Sequence, residues 1–323
     1  MDGGWWVVVG AAVELPFQRE ITFNQPLAVS HFPTVPTSSN KSADRWQLRT
    51  RTLALGELPL LMGIVNVTPD SFSDGGRYFD ADKAITYGMQ LAAEGADILD
   101  VGGESTRPGA APIDAREELR RVMPVLEALC EKTDLPVSID TSKALVAKSA
   151  IDAGAEIIND VTALEGDPDM LPLAVESGCG VCLMHKQGSP RTMQDEPVYA
   201  DVVAEVFEYL RIRRDALLAA GVSQDRIAVD PGIGFGKTTR HNIQLLANIG
   251  RLHDLDCPVL VGHSRKRFLA DLAPRPPSPA DRLPGTIGVA MSLARQRAQI
   301  LRVHDVAAVR QALLLFRATG GFQ

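Results

Sequence analysis

Long hydrophobic runs are missing from this 323-residue chain. No window approaches the roughly 18 apolar residues that crossing a bilayer requires, and mean hydropathy is +0.01. A basic excess is missing too: 33 Lys and Arg stand against 40 Asp and Glu, a formal net charge of −7. That disfavours nucleic acid as the main partner, because phosphate binding needs a basic face. Cysteine is scarce, four residues in all, so no disulfide framework is expected and a reducing cytoplasm is the default compartment. What is present is core material, 45 % hydrophobic residues. It suits one large α/β domain or two medium ones and excludes fibrous and disordered chains.

Residues 1–44 read differently from the rest. Their apolar patch at 5–9 is short and follows a single charge, Asp2. A secretion signal would open with basic residues and close on a small-residue cleavage site. A Ser/Thr/Pro stretch at 34–40 makes a linker. The expectation is a poorly ordered extension or a start assigned too far upstream, with a secretion signal or a docking arm as alternatives.

From residue 45 onward short apolar runs recur at 58–65, 97–101, 135–140, 156–159, 180–184, 226–230, 257–262 and 300–303. They are apolar throughout rather than alternating, as expected of strands in a parallel sheet covered on both faces. Helical patterns lie between them. Leu119, Val122, Leu126 and Leu129 repeat behind Asp114, a candidate N-cap. Val203, Phe207 and Leu210 lead to a stop at Gly221, and Val306, Val309 and Leu313 follow Asp305. Eight strand–helix units over about 260 residues predict a (β/α)8 TIM barrel, an α/β fold, spanning the chain from 45 to 323. A doubly wound open sheet is the rival, but it usually has fewer strands and a phosphate loop after the first.

In such a barrel the chemistry sits where the strands end. Those positions hold Asn66, Glu104 to Arg107, Asp140, Asn159, His185, Asp230, Ser264 to Lys266, and Arg302 with His304. Any one of them could be a helix cap; a ring carrying both carboxylates and cations exceeds capping. Asp140, Asn159 and Asp230 are acceptors suited to a ring with adjacent N–H donors, since an ionised carboxylate accepts two parallel hydrogen bonds. Lys266 could donate to a ring carbonyl. Arg302 and His304, two apart at a strand end, share a face and make a cationic pair. With Thr106 and Arg107 they would suit a diphosphate.

Two motifs mislead. GIGFGKT at 232–238 imitates a nucleotide phosphate loop, but the spacing would need Gly at Pro231 and the segment follows the sixth strand. Cys179 and Cys182 have a C-x-x-C spacing, yet on a strand they face opposite ways and no second pair exists. Both are expected in the core. His185 reads either as lining the mouth or as a structural hydrogen bonder.

Seven segments, in order, carry a resemblance. They are GIVNVTPDSFSDGG at 63–76, DVGGESTRPGA at 100–110, SIDT at 138–141, INDV at 158–161, DPGIGFGK at 230–237, GHSRK at 262–266 and RVHD at 302–305. From about residue 46 to the C-terminus the chain resembles the dihydropteroate synthases. The resemblance implies a transferase of folate biosynthesis that condenses (7,8-dihydropterin-6-yl)methyl diphosphate with 4-aminobenzoate, giving 7,8-dihydropteroate and diphosphate. It implies that Asp230 and Asn159 hold the pterin edge and that Lys266 fixes its carbonyl side. Asp140 would stabilise a pterin cation once diphosphate departs, which makes Asp140 and Lys266 the expected catalytic residues. Thr106, Arg302 and His304 would receive the diphosphate, with Arg107, Phe235 and Ser264 completing the substrate site. Asn66 would be the one protein ligand of Mg²⁺, an ion that keeps waters and takes phosphate oxygens. Homodimers joined through helices far from the mouth, and inhibition by sulfonamides that mimic 4-aminobenzoate, are implied as well.

The segments 67–76 and 105–110 are rich in Gly, Pro, Ser and Asp. They are expected to be open in the free enzyme and to close over the diphosphate, with Phe72 covering an aryl ring. Two rival functions are a folate-dependent methyltransferase and a paralogue that binds pterin without turnover. The first has no evident need for the motifs at Asn66 and Thr106; against the second, every matched polar position is filled.

Overall fold

A computed structural model describes residues 42–68, 81–105, 110–188, 197–272, 278 and 280–322. The extension expected at 1–44 lies outside the described residues as far as residue 41. So do 69–80 and 106–109, which hold Phe72, Thr106, Arg107 and most of the two segments expected to close.

Every apolar run becomes a strand of one parallel sheet. The strands are β3 (Leu60–Asn66), β4 (Ile98–Gly102), β5 (Val137–Asp140), β6 (Ile157–Asp160), β7 (Gly180–Met184), β8 (Ile227–Asp230), β9 (Leu260–Gly262) and β10 (Ile300–Val303). Neighbours in sequence pair in space, and β10 returns to β3 with Ile300 opposite Leu60. The ring closes between β8 and β9, where the Val229 N–H donates to the Pro258 carbonyl at 2.9 Å. This is the predicted barrel.

The helices around it are α1 (Ala81–Ala93), α2 (Ala115–Lys132), α3 (Ala144–Asp152), α4 (Met170–Ser177), α5 (Val202–Ala220), α6 (Thr239–Ala247), α7 (Phe268–Asp271), α8 (Leu283–Arg295) and α9 (Val306–Ala318). Helix α2 starts as its sequence dictates: Asp114 accepts from the Glu117 N–H at 2.8 Å, satisfying one of the orphan donors of the first turn. Its apolar stripe buries Val122, Leu126 and Leu129 against the sheet, each worth about 1.5–3 kcal/mol of transfer free energy. Helix α5 ends at Gly221, whose φ of 103° is the left-handed conformation that only glycine adopts cheaply. Helix α9 buries Val306, Val309 and Leu313.

Strand residues alternate between the helix-facing side and the barrel interior. At the lower end the inward positions are Met62, Ile98, Ile157, Cys182, Ala228, Leu260 and Ile300, which form one apolar cluster. One inward step further along the strands stand Asp100, Asn159, Asp230, Gly262 and Arg302, with Asp140 two residues beyond Ser138. The interior therefore changes from apolar to ionic within about 7 Å of strand rise. Cys182 belongs to the inner cluster and Cys179 to the outer one, so the two thiols are kept apart by the sheet.

The sequence reading missed a hairpin. Strands β1 (Arg45–Gln47) and β2 (Thr52–Ala54) pair antiparallel and place Trp46 and Leu48, both fully buried, across the lower mouth of the barrel. The Trp46 indole N–H donates to the Arg226 carbonyl at 3.0 Å. A Cβ on Gly180 would stand 2.7 Å from Leu48, so the glycine opening β7 makes room for the plug. The hairpin turn is tied to the buried carboxylate of Glu156, which accepts from Thr50 N–H at 3.1 Å and Thr50 O–H at 2.8 Å and pairs with Arg51 at 2.7 Å. Asp44, assigned to the extension by sequence, accepts from the Leu55 N–H at 2.8 Å, so the folded unit reaches back to it.

Candidate active site

The upper end of the barrel gathers the strand-end residues around one guanidinium. Arg302 donates through Nε to Asp100 at 2.5 Å and through Nη2 to Asp140 at 2.7 Å. Asn159 donates through Nδ2 to the two Asp100 oxygens at 3.2 and 3.4 Å. Asp100 is fully buried, and the desolvation of two carboxylates is offset here by a cation that satisfies both at once. Burial pushes the Asp140 carboxyl up, against the lowering effect of Arg302 and helped by the negative charge of Asp100.

Asp230 lies across the barrel, 5 % exposed. Its Oδ1 accepts from the Gly232 N–H at 2.7 Å. Burial raises its carboxyl; that hydrogen bond and the charges of Lys266, Arg302 and Lys237 act in the opposite direction. Its Oδ2 faces Gly262, where a Cβ would come within 3.8 Å, so the missing side chain leaves the carboxylate open from above. Lys266 reaches in beside it, its Nζ 4.2 Å from the centroid of the half-buried Phe235 ring. Burial pulls the Lys266 ammonium down to about 8. Donor, two-oxygen acceptor and amide thus converge on one space, as recognition of a flat polar heterocycle requires.

The expected cationic pair of Arg302 and His304 needs correction. The Arg302 guanidinium points inward to two carboxylates rather than outward beside His304. His304 is neutral: burial, together with the charges of Arg302 and Arg265, pushes its pKa down to about 3. The neighbouring Asp305 carboxylate favours the protonated ring but is outweighed by burial and the nearby cations. The imidazole instead meets the Ser264 hydroxyl at 3.1 Å, and its backbone N–H donates to the same oxygen at 3.3 Å. Arg265, in the left-handed region at φ 56°, is held by both oxygens of Asp305. Among the described residues this part of the rim therefore offers an imidazole–hydroxyl pair, with the Arg302 guanidinium set deeper.

Asn66 ends β3, half-buried, and makes no side-chain hydrogen bond to another described residue. Thr106 and Arg107 lie outside the described residues. Glu104, just ahead of them, binds Lys143, which also meets the fully buried Glu118 at 2.5 Å. His185 is the structural hydrogen bonder of the two readings: its Nδ1 lies 2.9 Å from the Lys237 Nζ.

Four residues escaped the sequence reading. Asp100 carried a signal, an ionisable residue inside the apolar run 97–101. Lys143 and Glu118 carried none, being a helix cap and a helix-face acid like many others. Lys237 was visible but was absorbed into the false phosphate loop.

The family model described as pterin binding enzyme matches residues 62–304. The dihydropteroate synthase of Escherichia coli strain K12 is 45 % identical over 261 residues, 81 % of this chain and 92 % of that protein. A Xanthomonas albilineans dihydropteroate synthase solved with 4-aminobenzoic acid superposes with a TM-score of 0.80 at 47 % identity, covering 86 % of this chain and 98 % of its own. The same species' enzyme in complex with 7,8-dihydropteroate gives 0.77 at 45 % identity, with 85 % and 98 % covered.

Proposed function

This chain belongs to the pterin-binding enzymes and, among them, to the dihydropteroate synthases, and from that premise we propose how its barrel mouth divides the work. The reaction joins (7,8-dihydropterin-6-yl)methyl diphosphate to 4-aminobenzoate. A carbon–oxygen bond breaks, a carbon–nitrogen bond forms, diphosphate leaves and the aryl amine loses a proton. The observation that carries the proposal is the ionic layer above the apolar floor: Asp230 with an open oxygen, Asn159 oriented by Asp100, and Lys266 beside Phe235.

On this reading Asp230 Oδ2 accepts from the pterin N–H edge, Asn159 Oδ1 takes a second N–H, and Lys266 donates to the ring carbonyl. The electron-rich ring carries the positive charge that develops as diphosphate departs, and Asp140 stabilises it across the short distance of a dry pocket. No side chain acts as nucleophile. With the Ser264 hydroxyl donating to His304 Nδ1, the imidazole Nε2–H is left to donate to the departing diphosphate, with Arg302 behind it. Asn66 fits Mg²⁺ because its unengaged amide oxygen is a hard donor at the mouth, and no cluster of three acidic, His or Cys ligands exists among the described residues; the ion would take its other oxygens from diphosphate and water. When bound, it would neutralise charge on the leaving group. A turnover assay with the dihydropterin diphosphate, Mg²⁺ and 4-aminobenzoate tests the whole; release of diphosphate without dihydropteroate would overturn it.

The Lys266 ammonium sets a basic limit. Its pKa of about 8 in the free enzyme lies below the ordinary lysine value, so the cation is present below that pH and lost as pH rises through it. The kcat/KM for the pterin substrate should fall above about pH 8. A pH–rate profile that stays flat well beyond that point would remove the lysine cation from the mechanism.

His304→Ala should weaken binding of the diphosphate substrate by about 1.5–3 kcal/mol, the usual worth of a hydrogen bond to a charged group. A pterin lacking the diphosphate should bind the variant as it binds the wild type. Calorimetry with both ligands checks this, and equal losses would place His304 in the pterin pocket instead. Arg302→Ala is the less clean test because it also strands Asp100 and Asp140 without their cation.

The composition of segments 67–76 and 105–110 supports an ordered site. Titrated against free enzyme, 4-aminobenzoate should bind weakly, and it should bind much more tightly once pterin and diphosphate are present. Equal affinity in the two titrations would mean a preformed pocket. The proposal also includes a homodimer joined through outer helices and residence in the cytoplasm, which the four free thiols favour.

A further inference from the structure

The loop between β8 and α6 packs backbone to backbone against the start of the loop between β7 and α5. A Cβ on Gly232, at φ 66°, would stand 1.8 Å from the His185 carbonyl oxygen. One on Gly236, at φ 63°, would stand 2.3 Å from that of Gln187. The Tyr199 hydroxyl donates to the Gly236 carbonyl at 2.8 Å. Into this seam runs Lys237, only 2 % exposed. Its Nζ donates to the Phe235 carbonyl at 2.9 Å and lies 3.4 Å from the His185 carbonyl and 2.9 Å from His185 Nδ1. The imidazole is itself fixed, edge to face with Tyr209 at 4.9 Å between ring centroids.

A lysine so placed cannot reach a phosphate, and it forms no ion pair with a described carboxylate. Burial pulls its pKa down to about 7, and amine and ammonium alike keep the two protons that the carbonyls need. Its three contacts have one geometric effect. They tie the carbonyl of Phe235, the residue whose ring lies under the Lys266 ammonium, to His185 in the neighbouring loop.

We propose that Lys237 is a positioning residue, which locks the two loops together and thereby sets the Phe235 ring as the wall against which the aryl amine substrate lies beside Lys266. This rests on the reading of Phe235 as part of the substrate site. A wall that shifts by about 1 Å costs up to about a hundredfold in a reaction that depends on the mutual placement of two substrates. Of the deep pterin contacts, Asn159 belongs to β6, and Asp230 is held by β8 itself below the loop, so both should be spared.

The test is a double-mutant cycle between Lys237→Met and Phe235→Ala, read as KM for 4-aminobenzoate, KM for the pterin diphosphate and kcat. Lys237→Met should raise the 4-aminobenzoate KM about 10- to 100-fold while the pterin KM moves little. The double variant should be no worse than Phe235→Ala alone, because the wall is already gone. A lysine serving only the fold would instead give effects that multiply, or a lower kcat matching a lower folded fraction, counted by pterin binding stoichiometry; either overturns the proposal. Lys237→Gln, which retains a donor for the Phe235 carbonyl, should recover part of the loss. If neither Lys237 variant accumulates as folded protein, the residue serves the fold and the proposal fails. If Phe235→Ala itself leaves the 4-aminobenzoate KM unchanged, the reading of Phe235 fails, separately from the link to Lys237.

Discussion

Replacing Asp230 with Asn is expected to weaken pterin binding by about 2–5 kcal/mol, the cost of breaking a buried charged hydrogen-bonded pair. Of the two oxygens, Oδ1 is already committed to the Gly232 N–H at 2.7 Å. An amide that keeps this contact with its oxygen must turn its NH2 group toward the ligand, setting donor against donor. Turned the other way, it sets two donors against each other at Gly232. The substitution also removes the charge that holds Lys266 up, so the ammonium should fall further below its wild-type value and the basic limit of activity should move to lower pH. Both shifts have the same cause and should appear together. Wild-type pterin affinity by calorimetry in the Asn variant would take Asp230 out of the site.

At the opposite end of the barrel, Trp46→Ala should cost about 3–5 kcal/mol of stability. The ring is fully buried among Met62, Ile98, Ile157 and Ile300, and its N–H satisfies the Arg226 carbonyl. The cavity left behind is walled by a closed sheet and cannot collapse, which puts the cost toward the upper end. Deleting residues 1–41 should leave the denaturation midpoint unchanged, whereas a deletion carried past residue 54 should not, because it removes the plug and leaves Glu156 buried without Thr50 and Arg51. Urea titration of the three proteins checks this. A Trp46→Ala midpoint within error of wild type would show that the barrel seals itself. Activity at low temperature should survive in Trp46→Ala, since the ionic layer rests on the strands and not on the hairpin.

How far the sequence could be read depended on the length of each signal. The eight barrel strands announce themselves as apolar runs of several residues, and helix starts such as Asp114 by a single capping chemistry. The hairpin strands are three residues each, too short for a period, and the alternation of Trp46 with Leu48 and of Leu53 with Leu55 is split by the charged turn. In the site, residues at strand ends were legible because barrel geometry names their positions. Asp100 shares their layer but stands two residues before the end of β4, inside the apolar run, where the run alone predicts an apolar side chain. The charge state of His304 was not legible at all: it depends on Arg302 and Arg265 arriving from β10 and the loop after β9, and on burial that only the closed fold creates. Lys237 was hidden by a likeness to another motif, and its role follows only from the carbonyls it meets.

The plug has a consequence for the chain's birth as well as for its stability. Trp46 finds its partner carbonyl at Arg226, 180 residues later in the chain. At synthesis rates of about 5–20 residues per second, the indole emerges on the order of 10 to 40 s before its acceptor does. Through that interval Trp46 and Leu48 have no floor to close, so the hairpin travels as an apolar, sticky leader on an unfinished protein. A part made early is thus among the last to dock, and nascent chains of intermediate length should be the species that chaperones hold.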